Sequence, residues 1–280
     1  MNQKSLFDSV SIACSKKTTT SYSTSFSLGI KTLGKKFRNP IYAIYGFVRF
    51  ADEIVDTFHD YDKVSLLARF REDTVRAIDE KISLNPILNS FQKVYHDFNL
   101  DWELVDTFLK SMEMDLDKTM YDRFGYEVYI LGSAEVVGLM CLKVFTEGDQ
   151  QEYERLKPYA MRLGAAFQKI NFLRDLKADY QTLGRTYFPQ LDMANFDENM
   201  KRTIEKEIAE DFHEAYKGIL MLPKDARFGV YVAYTYYVRL FQKIKSLPSD
   251  RIMEERIRIP NQKKFALILK SYVQHNLNLL

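Results

Sequence analysis

The chain has 280 residues, a formal net charge of +2, two cysteines and four histidines. That length can bury a sizeable core, and so balanced a charge argues against nucleic-acid binding as the main business. Cys14 and Cys141 make neither a disulfide framework nor a zinc spacing and fit a reducing cytosol, while the scattered histidines form no metal-binding pair. The first residues lack the charged-then-apolar pattern of a secretory leader. No uninterrupted apolar run reaches transmembrane length; the nearest, 128–145, carries Glu135 and Lys143.

Residues 5–15 read as a short helix. The run that follows, 16–27 (KKTTTSYSTSFS), is rich in hydroxyls. Such segments make turns and caps; alternatively, Ser23 and Ser25 donate hydrogen bonds to phosphate oxygens. Lys31, Lys35, Lys36 and Arg38 then form a basic, solvated cluster.

In 40–57 (PIYAIYGFVRFADEIVDT) the usual proportions of a surface helix are reversed. Tyr45, Arg49, Asp52 and Asp56 fall within about 60° of one another on a helical wheel. The rest of the circumference is apolar: Ile41, Ile44, Phe47, Val48, Phe50, Ile54 and Val55 among others. A surface helix has the broader polar face, so this one is expected to be buried, its polar strip turned toward something polar inside. Buried carboxylates need partners, which an internal metal–phosphate site supplies.

Helical spacing continues through 61–81, a segment opened by Pro86, and 101–118, where Asp115 reads as structural. The apolar helix 124–145 (FGYEVYILGSAEVVGLMCLKVF) holds Gly132, Ser133, Ala134 and Gly138, small residues that permit close packing or leave room for a ligand. In 168–189 (QKINFLRDLKADYQTLGRTYFP) a second polar strip appears: Gln168, Asn171, Asp175 and Asp179 lie within about 80° of one another. Carboxylates four apart repel by about a few tenths of a kcal/mol, and a hard divalent cation such as Mg²⁺ removes that cost. A lone D-x-x-x-D is usually a solvated acidic face. Two of them facing each other make a cavity that clamps diphosphates through Mg²⁺. Arg185, just beyond, carries a guanidinium suited to the same phosphate oxygens.

Asn195 with Glu198 resembles a capping box opening a helix through 217. Residues 226–245 form an aromatic-rich helix with Tyr231, Tyr234, Tyr236 and Tyr237; 253–264 is basic, and a last helix runs to about 277. With no alternating strand runs and no repeats, the expectation is one all-α domain over 1–280.

The motifs YAIYGFVRFADEIVD and QKINFLRDLKADY, the second followed by GRTYFP, resemble in order, separation and flanks those of the squalene/phytoene synthase family of head-to-head prenyl transferases. SYSTSF near the start, Y-x-x-x-S-A-E-V-V-G-L-M in the middle and 256–264 add to a likeness that spans 22 to about 264. The resemblance implies a class I isoprenoid synthase-like helical bundle around a central cavity. It implies that Asp52 and Asp56 bind Mg²⁺ on one diphosphate, beside Arg49 and Tyr45. Asp175, Asp179 and Asn171 are implied to hold the metal on the other, with Gln168 and Arg174. Ser23 and Ser25 match phosphate-touching positions and Phe26 a cavity-lining one. Tyr129, Arg185, Tyr187, Tyr237 and Arg256 match further substrate-binding positions, with Arg258 the alternative to Arg256. Two departures stand out: Glu135 in the middle helix, a candidate further polar ligand, and Glu53 in place of a second Asp.

The activity so implied is Mg²⁺-dependent condensation of two prenyl diphosphates through a cyclopropyl diphosphate, with Mn²⁺ as the alternative metal. Geranylgeranyl diphosphate giving phytoene, for carotenoid biosynthesis, is the favoured version. Farnesyl diphosphate giving dehydrosqualene or squalene is the alternative, and only squalene requires NADPH. A non-catalytic assembly protein of this fold is expected to lose motif aspartates, yet all four are kept; a class I terpene cyclase is disfavoured by D-x-x-x-D as the second motif. The expected setting is the cytoplasm. An oily substrate and the basic residues Lys243, Lys245, Arg251, Lys263 and Lys264 point to peripheral contact with the inner face of the cytoplasmic membrane.

Overall fold

The computed structural model describes residues 2–117, 120–178, 180–181, 186–189, 196–254 and 257–259. Among them the chain is all-α, as its periodicity requires, apart from one isolated bridge between Met120 and Thr186. In order the helices are α1 (Gln3–Tyr22), α2 (Thr24–Thr32), α3 (Lys35–Thr57), α4 (Lys63–Glu80), α5 (Pro86–Asp97), α6 (Trp102–Asp117) and α7 (Arg123–Ile130). A π-turn (Leu131–Glu135) joins α7 to α8 (Val136–Phe145) without a break. Then come α9 (Gln150–Ala178), α10 (Glu198–Met221), α11 (Lys224–Lys245) and the short α12 (Ser249–Glu254).

Local chemistry sets many of these boundaries. Asp62, Asn85 and Asp122 each accept a backbone N–H at the start of α4, α5 and α7, and Pro86 occupies the first turn of α5, where its missing N–H does no harm. The cap of α10 is Asp197, whose carboxylate accepts from the N–H groups of Asn199 and Met200 at 2.9 and 2.8 Å. The capping box anticipated at Asn195 is thus displaced: Asn195 lies outside the described residues, and Asp197 bonds the first turn.

The hydroxyl-rich run 16–27 divides: Ser23 breaks the chain and caps α2 as hydroxyl runs do, but the part before it stays helical. Instead of turning after residue 15, α1 continues to Tyr22. Ser11, Ser15 and Thr19 are its fully buried face, four apart along one side. Ser11 and Thr19 donate back to the carbonyls of Phe7 and Ser15, so the hydroxyls are satisfied inside the helix. Their small size lets α3 come close: a Cβ on Gly46 would stand 2.9 Å from Ser15 Oγ.

Two buried clusters make the core. One gathers α3, α4, α5, α6 and α8, with Phe47 stacked on Phe91 at 4.0 Å and on Phe70 at 5.6 Å. The other gathers α7, α9, α10 and α11 around Leu173, Ile208 and Leu240. Taken through the π-turn, the helix Arg123–Phe145 is long and apolar enough to cross a membrane, but over half of its apolar window is buried within the protein. Its hydrophobicity is explained by the core and by the cavity that it walls.

Candidate active site

A cavity runs between the clusters, lined by α2, α3, α6, α7 with the π-turn and α8, α9, α10 and α11. Nearly all of its wall is apolar. Polar groups collect at one end: Tyr45, Arg49 and Asp52 from α3, Tyr129 from α7, Ser133 from the π-turn, and Gln168 and Asn171 from α9. The two sequence-predicted strips therefore reach one hollow, and their helices serve as its walls. Asp56 and Asp175 stand one helical turn further along the same strips, beyond the lining residues. Asp179, Arg185 and Arg256 lie outside the described residues.

On α3, the guanidinium of Arg49 pairs with both Asp52 and Glu53, at spacings of three and four residues, and lies over the ring of Tyr22 at 4.4 Å. One guanidinium does not balance this neighbourhood. Asp52 faces the hollow and is half-buried; desolvation, and then the charge of Asp56, push its carboxyl up to about 7 despite Arg49. Asp115 and Glu53 act in the same direction. Tyr45 has its phenol raised chiefly by burial and is hydrogen-bonded to Ser23. Ser23 also caps α2 through the N–H of Phe26 at 3.2 Å, so the first of the two hydroxyls proposed for phosphate contact is a helix cap at the cavity's polar end. The Phe26 ring lines the cavity against Tyr45 and Tyr237, at 5.7 and 6.2 Å.

On α9 the balance differs. Arg174 pairs with its neighbour Asp175, an ion pair both of whose members are largely buried. The amides of Gln168 and Asn171 carry the part of the strip that lines the hollow. Tyr237 O–H donates to Asn171 Oδ1 at 3.2 Å, Asn171 Nδ2 to Gln168 Oε1 at 3.4 Å, and Gln168 Nε2 to Ser133 Oγ at 3.2 Å. Tyr237 stacks on Phe167 at 3.9 Å, and its phenol is pushed up to about 12, mainly by burial.

Asp115, read from the sequence as structural, is the buried anchor of two tyrosines beside the site. It sits on α6, only 5% exposed, and accepts from Tyr129 O–H at 2.7 Å and Tyr121 O–H at 3.5 Å. The signal was an acid on an otherwise apolar helix face, after Val105, Phe108 and Met112; the helix it would meet could not be read from spacing. Tyr129 holds its proton far above the usual phenol range through burial and the adjacent Asp115. Tyr187 stacks on Phe172 at 4.1 Å and lies 5.1 Å from the Tyr129 ring, so it packs behind the site without entering the lining.

Glu135 corrects an expectation. It is absent from the cavity wall and lies instead within electrostatic reach of Asp211, Lys169 and Arg162. Asp211, 1% exposed, accepts from Lys169 Nζ at 2.7 Å and Arg162 Nη1 at 2.8 Å. Burial first, and then Asp211, push the Glu135 carboxyl up to about 7. The π-turn explains this orientation. Tyr129, Ser133, Val137, Cys141 and Phe145, spaced by four, all line the hollow. In an unbroken α-helix such a stripe drifts by about 40° per step, about 160° over its length. The i→i+5 bond from Val136 N–H to Leu131 C=O takes part of that drift back.

The donors fit a divalent cation. Among the described residues no three His, Cys, Asp or Glu groups stand close enough to enclose an ion by themselves. Carboxylate oxygens in mutual repulsion at the rim of a cavity are nevertheless hard ligands of the type Mg²⁺ takes, and Mg²⁺ ordinarily completes its shell with water and substrate phosphates.

Comparison with known proteins agrees with this architecture. Residues 19–263 match the squalene/phytoene synthase family. The chain is 29% identical to 4,4'-diapophytoene synthase of Staphylococcus haemolyticus over 68% of its own length and 66% of that protein. It is 27% identical to chloroplastic phytoene synthase 1 of Solanum lycopersicum over 80% of this chain and 59% of the relative. The matches thus span less than two thirds of either relative. In fold, it is similar to the crystal structure of a dehydrosqualene synthase in complex with ligand, with a TM-score of 0.81 at 21% identity, covering 95% of this chain and 96% of the other.

Proposed function

The chain belongs to the squalene/phytoene synthase family, whose members are prenyltransferases, generally dependent on a divalent metal, that join prenyl groups head to head; from that premise we propose that it condenses two molecules of geranylgeranyl diphosphate to phytoene through a cyclopropyl diphosphate. The observation that supports the longer substrate is the extent of the lining along α9. Its lining on α9 extends from Leu156 to Asn171, about 22 Å of helix. At ~1.2 Å per bond, a geranylgeranyl tail extends roughly 18 Å and a farnesyl tail roughly 13 Å. A lining of that extent is compatible with the longer tail lying along α9, its diphosphate toward Asn171.

In this reading, Asp52 and Asp56 on α3, and Asp175 and Asn171 on α9 together with Asp179, would hold the Mg²⁺ ions, with Mn²⁺ as a substitute. The metal, when bound, neutralises the diphosphate so that the allylic carbon–oxygen bond can ionise. Arg49 and Arg174 sit beside the carboxylates, where their charge opposes the build-up of negative charge on the leaving group. Phe26, Tyr45, Phe167 and the apolar wall keep water from the cation and present ring faces to it. The final cation then loses a proton, a step that needs no NADPH.

A second reading is favoured by the first relative described above: farnesyl diphosphate as substrate, with dehydrosqualene as product. Purified protein, incubated with each prenyl diphosphate and Mg²⁺, with and without NADPH, distinguishes them by the hydrocarbon formed. Phytoene from geranylgeranyl diphosphate alone is expected. A C30 product, or NADPH-dependent squalene, replaces the reading.

A further inference from the structure

The hydrogen-bond chain on the cavity wall begins at Tyr237 and ends on a residue that the function above leaves unused. A tyrosine hydroxyl held by a single acceptor donates to Asn171 Oδ1, which turns the Asn171 amide so that its NH₂ meets Gln168 Oε1. That in turn points the Gln168 NH₂ along the wall toward the π-turn, where Ser133 Oγ receives it. Each amide has one oxygen and one NH₂, so fixing one end of such a chain fixes every orientation along it. Were the last acceptor missing, the Gln168 NH₂ would lose the partner that holds it toward the π-turn.

The backbone around Ser133 is locked to make this contact. On one side, a Cβ at Gly132 would stand 2.5 Å from Ser111 Cβ and 2.8 Å from Thr107 O, so α6 presses directly on the π-turn. On the other, a Cβ at Gly164 would stand 2.7 Å from the Ala134 carbonyl oxygen, so α9 does the same. Two glycines, on different helices, thus clamp a five-residue turn whose widened geometry keeps Ser133 on the cavity stripe. Helices that widen at a single turn commonly do so at functional sites.

We propose that Ser133 is a positioning residue: by accepting from Gln168 it fixes the orientation of the Gln168 and Asn171 amides that face the diphosphate end of the cavity. The proposal rests on the prenyltransferase reading for its effect on rate and on the hydrogen-bond chain alone for its effect on Gln168. Ser133 acts through Gln168 and does not itself touch the reacting carbons.

The test compares wild type, Ser133→Ala and Ser133→Thr, the last of which retains the hydroxyl. With the prenyl diphosphate that the wild type uses, and with Mg²⁺, Ser133→Ala is expected to lose kcat by about fivefold, the worth of one neutral hydrogen bond, at nearly unchanged KM. Ser133→Thr restores most of the rate, and the melting temperatures of all three agree closely. In ¹⁵N-labelled protein without substrate, the side-chain amide signal of Gln168 moves in Ser133→Ala and returns in Ser133→Thr. An unchanged kcat with an unmoved Gln168 signal in Ser133→Ala overturns the proposal. So does an equal loss in Ala and Thr variants, which marks packing rather than the hydroxyl. If the wild type converts no prenyl diphosphate, the functional reading fails, and the Gln168 signal alone decides for or against the positioning role.

Discussion

The two polar strips look alike in sequence but solve different electrostatic problems. On α3, Asp52 stands among Asp56, Glu53 and Asp115, with Arg49 as the neighbouring cation that opposes them. On α9, Asp175 is matched by Arg174, and the part nearest the cavity is built of uncharged amides tied to Tyr237. Among the described residues, the first wall gathers several carboxylates about one guanidinium, whereas Asp175 on the second has a guanidinium beside it. A divalent cation meets an existing guanidinium on both walls, and on α3 it also relieves repulsion among several carboxylates. Repulsion stored on one wall and pairing on the other should separate in experiments that treat the two aspartates identically.

The largest effect is on turnover and should be shared. Asp52→Asn and Asp175→Asn are each expected to reduce the rate beyond about a thousandfold while the far-ultraviolet circular dichroism stays that of an all-helical protein. Near-normal activity in either variant removes that wall from the metal site. Stability should then divide them. Asp175→Asn leaves the largely buried Arg174 without its charged partner and is expected to destabilise the metal-free protein by about 1–3 kcal/mol. Asp52→Asn relieves repulsion, and in chemical denaturation it is expected to be at least as stable as wild type at neutral pH. Equal losses in the two variants would erase the distinction.

A pH series sharpens it further. The Asp52 carboxyl is raised from its ordinary 3.8 to about 7 in the folded protein. Its contribution to stability is therefore complete below the unfolded value and lost as pH rises through the folded one. Metal-free wild type should melt below Asp52→Asn at about pH 8, and the gap should close by about pH 4. Glu135, raised in the same direction to about 7, leaves a residual slope in Asp52→Asn that Glu135→Gln removes. Adding Mg²⁺ with inorganic pyrophosphate selects the ionised carboxylates, so the order at about pH 8 should reverse, wild type melting higher. The smallest effect belongs to the α9 wall: Tyr237→Phe deletes one neutral hydrogen bond to Asn171 and should cost under about 1 kcal/mol in denaturant titration.

How far the sequence carried this picture depends on the range of each interaction. The all-helical class, the inverted polarity of the stretch around Asp52, and the presence of Gln168 and Asn171 on one face with Asp175 follow from a period of 3.6 residues, a purely local property. Pro86 opening a helix was legible, because a missing N–H does no harm in a first turn. Capping was misplaced at α10, where Asn195 and Asp197 compete within three positions and only the backbone path chooses. The hydroxyl run breaks the helix at Ser23, which caps α2, but not before: Thr19 is held in α1 by burial against neighbouring helices, a term that propensity does not contain.

What the chain determined by itself, then, was which residues share a helix face and what charge that face bears. Tertiary structure alone decided that Asp115 from α6 approaches Asp52, that Glu135 turns to Arg162 and Lys169 instead of the cavity, and that Ser133 closes the amide chain. Each of these depends on the approach and rotation of a second helix. Distances of that kind are set by glycine-to-backbone contacts such as Gly132 on Thr107 and Gly164 on Ala134, which no periodicity within one segment encodes.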